Sequence, residues 1–171
     1  MTVIYESPVG PLWLTAEKQG LSRLAFSAPE GMQEDISSCG GEYTAKAVAE
    51  LEEYFAHRRS TFDIPLVLHG TPFQQRIWQV LQGIGYGETI SYAEEALRAE
   101  HPGAFRAAAN ANHANPVAII IPCHRVIASS GRIGGYGGGI EKKRFLLDLE
   151  FHLTKYKRYK IIIVHLLVEL K

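Results

Sequence analysis

Short runs in which apolar and polar residues alternate open the chain. Residues 2–7, 12–17 and 21–27 are rich in β-formers and are separated by Pro8-Val9-Gly10-Pro11 and by Lys18-Gln19-Gly20, a pattern that predicts an antiparallel meander. Pro29, Gly31, Ser37, Ser38, Gly40 and Gly41 make residues 28–42 read as a loop. From Thr44 the period changes. Val48, Leu51, Tyr54 and Phe55 recur at helical spacing as far as His57, so an amphipathic helix is expected to cover the sheet. Residues 61–68 read as a strand or an extended linker.

The second half opens with a helix signal. Thr71 is a good N-cap with Pro72 at the first helical position, and Phe73, Ile77, Val80, Leu81 and Ile84 form one apolar stripe that ends at Gly83, Gly85 and Gly87. Ser91 followed by Glu94 predicts a capping box and a second helix from Tyr92 to about residue 100. Pro102-Gly103 breaks the chain before a third helix at 104–113, whose side chains are small: Ala104, Ala107, Ala108, Ala109 and Ala111. Two short helices joined by a turn outline a helix-turn-helix, although a helical hairpin in a core has the same pattern. The run Ile119-Ile120-Ile121-Pro122 favours a buried, extended segment, and the chain is expected to leave that strand at Cys123 because proline fixes φ and removes a donor. Phe145, Leu146 and Leu149 mark a last helix at 140–151. Beyond it, Lys155-Tyr156-Lys157-Arg158-Tyr159-Lys160 is basic and aromatic and 161–170 is mostly apolar. That tail reads equally as an element docked on the first domain, a partner-binding segment or an extension foreign to the fold. The expected partition is an α/β domain at 1–70, a second domain at 71–151 and a tail at 152–171.

Composition places the chain among ordinary soluble proteins, with 46% hydrophobic and 21% charged residues. The formal net charge is zero, but Lys plus Arg against Asp plus Glu runs 5 to 10 over residues 1–70, 8 to 7 over 71–151 and 5 to 1 over 152–171. The acidic first third is a poor surface for a polyanion, and charge alone does not point to nucleic acid. No charged start followed by an apolar core precedes Glu6, and the longest apolar run, 161–168, is too short to span a bilayer. Cys39 and Cys123 allow at most one disulfide, so a reducing cytoplasm, with no membrane association, is expected.

Candidate chemistry centres on Cys123. A free thiol has a pKa near about 8.5 and needs a base or a positive environment to act as a nucleophile, and His124 and Arg125 are adjacent candidates for both roles. The plain alternative is a small core hydrophobe.

Pro122-Cys123-His124-Arg125-Val126 resembles the active-site signature of the O6-alkylguanine-DNA alkyltransferases. Further matching segments follow in order: Thr71-Pro72-Phe73-Gln74, Ile90-Ser91-Tyr92, Arg106-Ala107, Asn115-Pro116-Val117, Gly134-Gly135-Tyr136, and Phe145-Leu146-Leu147 leading to Glu150. The resemblance covers residues 71–150 and, more loosely, those before. It implies an α+β fold, with a small N-terminal antiparallel-sheet-plus-helix domain of ribonuclease-H type followed by a mostly helical, winged-helix-like catalytic domain. It also implies irreversible, stoichiometric transfer of an alkyl group from O6-alkylguanine, and from O4-alkylthymine, to Cys123.

Several side-chain roles come with that resemblance. His124 takes the thiol proton, Glu150 orients His124, and Tyr92 helps extrude the base and protonates the leaving guanine. Arg106 enters the stack of double-stranded DNA from the minor groove, where the target nucleotide is flipped out. Asn115 braces the active-site turn, Tyr136 and Gly137 wall the guanine pocket, and Arg125, Val126 and Lys143 join the substrate- and DNA-binding set. The family pattern has valine and glycine where this chain has Ala108 and Ala109, and often serine or alanine where it has Gly137. The glycine-rich stretch 134–139 lacks a phosphate-loop lysine. No cofactor is required, no ligand spacing around Cys39 supports zinc, and a monomer is expected. Two rivals remain. A non-catalytic lesion-binding relative lacks the cysteine, and a cysteine hydrolase needs an oxyanion hole and normally a distant histidine.

Overall fold

The computed structural model describes residues 2–29 and 41–151. Most of the expected 28–42 loop, Cys39 included, and the whole 152–171 tail lie outside the described residues. Strands β1 (Thr2–Ser7), β2 (Gly10–Glu17) and β3 (Gly20–Ala25) form an antiparallel sheet in that order. Gly10 sits at φ +91, a conformation that favours glycine at this turn. Leu12, Leu14, Leu21 and Leu24 are buried, and helix α1 (Glu42–Phe55) adds buried Ala47, Leu51 and Tyr54 to the same core. Each buried leucine contributes roughly 1.5–3 kcal/mol. The helix starts two residues before Thr44 because Thr44 Oγ1 donates to Gly41 O at 2.9 Å instead of capping the turn itself.

The outer edge of β3 is closed by two later segments, which suppresses an open sheet edge. Leu21 N donates to Pro65 O and Val67 N to Leu21 O, both at 2.9 Å. Residues 61–68 are therefore an extended linker making one parallel bridge. Leu24 N then donates to Pro116 O at 2.9 Å, and Ala118 N to Leu24 O at 3.0 Å. This second contact fastens the approach to Cys123 onto the N-terminal sheet.

Helix α2 (Pro72–Gln82) opens with a complete capping box between Thr71 and Gln74. Its buried stripe holds Ile77 and Leu81 as predicted, together with Trp78, whose Nε1 donates to Ala111 O at 2.9 Å. Helix α3 (Tyr92–Arg98) carries half of the predicted box. Ser91 Oγ accepts from Glu94 N at 3.1 Å, while the Glu94 carboxylate turns to Arg98 at 2.9 Å. Helix α4 (Phe105–His113) packs on α2 and α3. Ala108 and Ala111 are buried, so part of its small-residue character serves helix packing, leaving Phe105 and Arg106 exposed. A two-stranded parallel pair, β4 (Ile90–Ser91) and β5 (Val126–Ile127), follows. A fifth helix, α5, occupies residues 140–151, where the described residues end.

The isoleucine run corrects the expected strand. Ile119, Ile120 and Ile121 are buried, but Ile120 N donates to Ala118 O at 2.9 Å and Cys123 N to Ile121 O at 2.8 Å. These are consecutive γ-turns. The first holds Ile119 at φ +71, a strained conformation for a β-branched residue; the second has Pro122 at φ −83, ψ 60. Docking on β3 overrides β-propensity, and the local strain it imposes turns the chain into the site.

Candidate active site

Cys123 begins a single 3-10 turn, Cys123–Arg125, and its side chain is buried. Asn115, at the foot of the turn, locks it. Its Nδ2 donates to Ile121 O at 2.8 Å and to Cys123 Sγ at 3.2 Å, while its Oδ1 accepts from Val117 N at 3.0 Å. Burial pushes the Cys123 thiol up to about 11, against the lowering effect of Asn115 and Lys143. The resting group is thus a neutral thiol.

His124 is fully buried, and its Nε2 lies 2.9 Å from Glu150 Oε1. Glu150, on α5, also accepts from Arg125 Nε and Nη2, both at 2.9 Å, from Tyr54 Oη at 2.8 Å and from Gly87 N at 3.0 Å. Burial pushes this carboxyl up, but the hydrogen bonds and charges of His124 and Arg125 outweigh it and hold the group well below its ordinary value. An ionised Glu150 accepts, so His124 carries its proton on Nε2. That assignment leaves Nδ1, buried and without a partner among the described residues, as the basic nitrogen. Burial lowers the His124 pKa, against the raising effect of Glu150.

Two cavities meet at Cys123. One, of about 400 Å³, lies against α4 and is lined by Tyr92, Asn110, Asn112, Cys123, Gly135 and Tyr136. The other, of about 480 Å³, opens toward β3 and is lined by Arg23, Phe26, Asn115, Ala118, Cys123 and Tyr136, among others. Gly137 borders both, and a Cβ added there would meet nothing within 4 Å. Gly134 permits the close approach of Tyr92, since a Cβ would lie 2.9 Å from its Oη. Tyr136 stands edge-on to Phe26, with centroids 5.5 Å apart and its own Oη buried without a hydrogen-bond partner among the described residues.

Cys123, Tyr92, Tyr136, Gly137 and Asn115 thus share these walls, and Glu150 adjoins His124. Three residues expected to contact substrate or DNA are buried and engaged within the fold. Arg125 is buried and spends its donors on Glu150 and Ile84 O. Val126 is in the core, its carbonyl accepting from Lys143 Nζ at 2.7 Å. Lys143 is itself buried, 5.8 Å above the Tyr92 ring. In each case the pull of the fold's own acceptors and core exceeds that of the surface. Arg106 lies on the exposed face of α4 beside Phe105.

Sequence reasoning found no chemistry in the N-terminal third. The structure places Tyr54 of α1 on Glu150, and Arg23 of β3 and Phe26 just after it in a cavity wall. Also unforeseen are buried Glu95 and Asn112, joined by Asn112 Nδ2 donating to Glu95 Oε2 at 3.0 Å. A charged residue at a helix position otherwise packed inward was the only available signal. Among the described residues no group of metal-ligating side chains is assembled.

A buried thiol braced at a cavity wall, next to a histidine–glutamate pair and beside a helix-turn-helix, defines a class of protein that reacts through a cysteine. Comparison with known proteins narrows it. Residues 2–68 match the 6-O-methylguanine DNA methyltransferase ribonuclease-like domain, and residues 72–152 match the DNA binding domain of the same name. The chain is 47% identical over 147 residues to a methylated-DNA–protein-cysteine methyltransferase of Mycobacterium bovis, covering 85% of this chain and 88% of that one. Its identity to the Methanosarcina acetivorans protein of that name is 42% over 149 residues, covering 86% and 96%. Among solved structures, Mycobacterium tuberculosis OGT in complex with DNA superposes with a TM-score of 0.79 at 46% identity, over 87% of this chain and 92% of that one. The chain therefore belongs to the 6-O-methylguanine DNA methyltransferase family and is a DNA-repair alkyltransferase with methylated-DNA–protein-cysteine methyltransferase activity.

Proposed function

We propose that this protein transfers the alkyl group of O6-alkylguanine in double-stranded DNA to Cys123 Sγ. The observation that carries the reading is the position of Cys123, common to both cavities, with its turn fixed by Asn115 and its neighbouring histidine fixed by Glu150. The target base enters the cavity against α4, between Tyr92 and Tyr136. Reaching that cavity requires flipping the nucleotide out of the duplex. The exposed face of α4 lies in the minor groove, where Arg106 fills the vacated stack and offsets an unstacking cost of roughly a few kcal/mol.

As the base seats, His124 Nδ1 takes the thiol proton, directly or through one water, and Glu150 stabilises the imidazolium. Asn115 Nδ2 remains on the developing thiolate. Sulfur then forms a bond to the alkyl carbon, and the C–O6 bond breaks with its electron pair passing to guanine. Tyr92 donates a proton to the leaving base. Because burial holds the thiol protonated until then, the cysteine is protected from stray electrophiles. The product is a thioether, which has no carbonyl for water to attack, so each molecule is consumed in one turnover.

The test is intact mass and peptide mapping after incubation with duplex DNA carrying one O6-methylguanine. A single methyl on the peptide containing Cys123 is expected, and none with Cys123→Ala; transfer by that variant overturns the assignment.

A further inference from the structure

The β3-side cavity has a wall chemistry that methyl transfer does not use. Arg23 lines it within the same enclosure as Cys123, and its Nε is buried with no hydrogen-bond partner among the described residues. Lys142 lines it too, engaged with Val9 O and 5.6 Å above the Phe26 ring. His113 is a third basic side chain, and no carboxylate lines the cavity among the described residues. A buried guanidinium nitrogen without an acceptor is costly, since an unmet polar group loses its hydration without return. Phe26, Ala118 and the ring of Tyr136 supply apolar wall, beside the neutral polar side chains of Ser27, Asn112 and Asn115.

The geometry of displacement at carbon determines what this space receives. Sulfur, carbon and the leaving oxygen lie in line, so any substituent on that carbon projects sideways, away from the axis that ends in the base. With the base in the cavity against α4, a substituent next to Cys123 finds its room on the β3 side. We propose that this cavity is a subsite for alkyl adducts ending in an anion, such as a carboxymethyl group, and that Arg23 is its specificity-determining residue. The chemistry is otherwise the same. Cys123 Sγ bonds to the methylene carbon, the C–O6 electron pair leaves with guanine, which regains a proton, and the product is S-carboxymethylcysteine. The inference rests on Cys123 being the acceptor.

The test uses the full chain and three duplexes, each with one O6-methylguanine, one O6-carboxymethylguanine or one O6-(carbamoylmethyl)guanine. The last has nearly the shape of the acid without its charge. Single-turnover rates are read as modified Cys123 peptide. Because a charge-assisted hydrogen bond is about twice as strong as a neutral one, the wild-type carboxymethyl rate is expected to exceed the carbamoylmethyl rate about tenfold. Arg23→Gln should bring that ratio to near one, and Arg23→Lys should retain part of it. DNA affinity and folding cancel in the ratio. Equal wild-type rates on the two large adducts, or a ratio unchanged by Arg23→Gln, overturn the proposal. Methyl transfer with no mass on the Cys123 peptide overturns instead the assignment beneath it.

Discussion

Two glutamates are buried near Cys123, and they have opposite character. Glu150 is 1% exposed and Glu95 is 0% exposed, so burial penalises both charges. Glu150 accepts from His124, Arg125, Tyr54 and Gly87 and is held well below its ordinary range. Glu95 accepts at Oε2 from Asn112, its Oε1 has no partner among the described residues, and burial pushes it from 4.5 to about 7 in spite of Asn112 and Lys143. Burial sets the cost, and partners decide whether charge survives it. The site thus has a permanently charged anchor behind His124 and a second, titratable carboxyl across from it, against the cavity wall that Asn112 supplies.

Removing the charge of the anchor should have the largest effect. Glu150→Gln leaves Arg125 buried without its counter-charge and is expected to destabilise the fold by about 3–5 kcal/mol in urea unfolding near neutral pH. It should also abolish fast alkyl transfer, because His124 loses the acceptor that fixes its tautomer. A loss below about 1 kcal/mol would show that the anchor is not the buried ion-pair network described.

Tyr54→Phe sharpens the comparison from the other domain. It removes one hydrogen bond to an ionised group, so a loss of about 1.5–3 kcal/mol is expected with the apolar core intact. The thiol's pH–rate profile should move little, since Arg125 and Gly87 still hold the carboxylate.

Glu95→Gln tests the other carboxyl, and its effect should have the opposite sign with pH. The folded pKa of Glu95 is raised, so its contribution is full below 4.5 and is lost as pH rises through about 7. Wild type is therefore expected to lose stability relative to Glu95→Gln between about pH 5 and about pH 8, by about 3 kcal/mol in paired thermal melts. A difference that stays flat across that range would mean Glu95 does not titrate there. For Glu150 the direction reverses. Its pKa is depressed, so its contribution is present above 4.5 and is lost as pH falls below that value.

The same contrast marks what a linear reading can see. Caps and stripes are local, so the sheet, the Thr71 helix start and the order of elements were legible. Cys123 and His124 are adjacent in sequence, and the family signature carried Glu150 with them. Tyr54 lies 96 residues from Glu150, and no periodicity links two positions so far apart. The buried course of Arg125 was hidden for a related reason, because an arginine beside a nucleophile has the sequence of a surface contact whichever way it points. Ile119–Ile121 misled because β-branched residues favour strands, whereas the hydrogen bonds of β3 with Pro116 and Ala118 force turns. The pairing of Glu95 with Asn112, 17 residues on in α4, likewise follows from packing and from no local pattern.

The most direct measurement is the stoichiometry of transfer. With excess duplex containing O6-methylguanine, repair should plateau at one methyl group per protein molecule, all of it on the peptide containing Cys123, and the plateau should scale with protein concentration. Continued turnover past that plateau, or a methyl group on any other residue, contradicts a thioether formed irreversibly at Cys123.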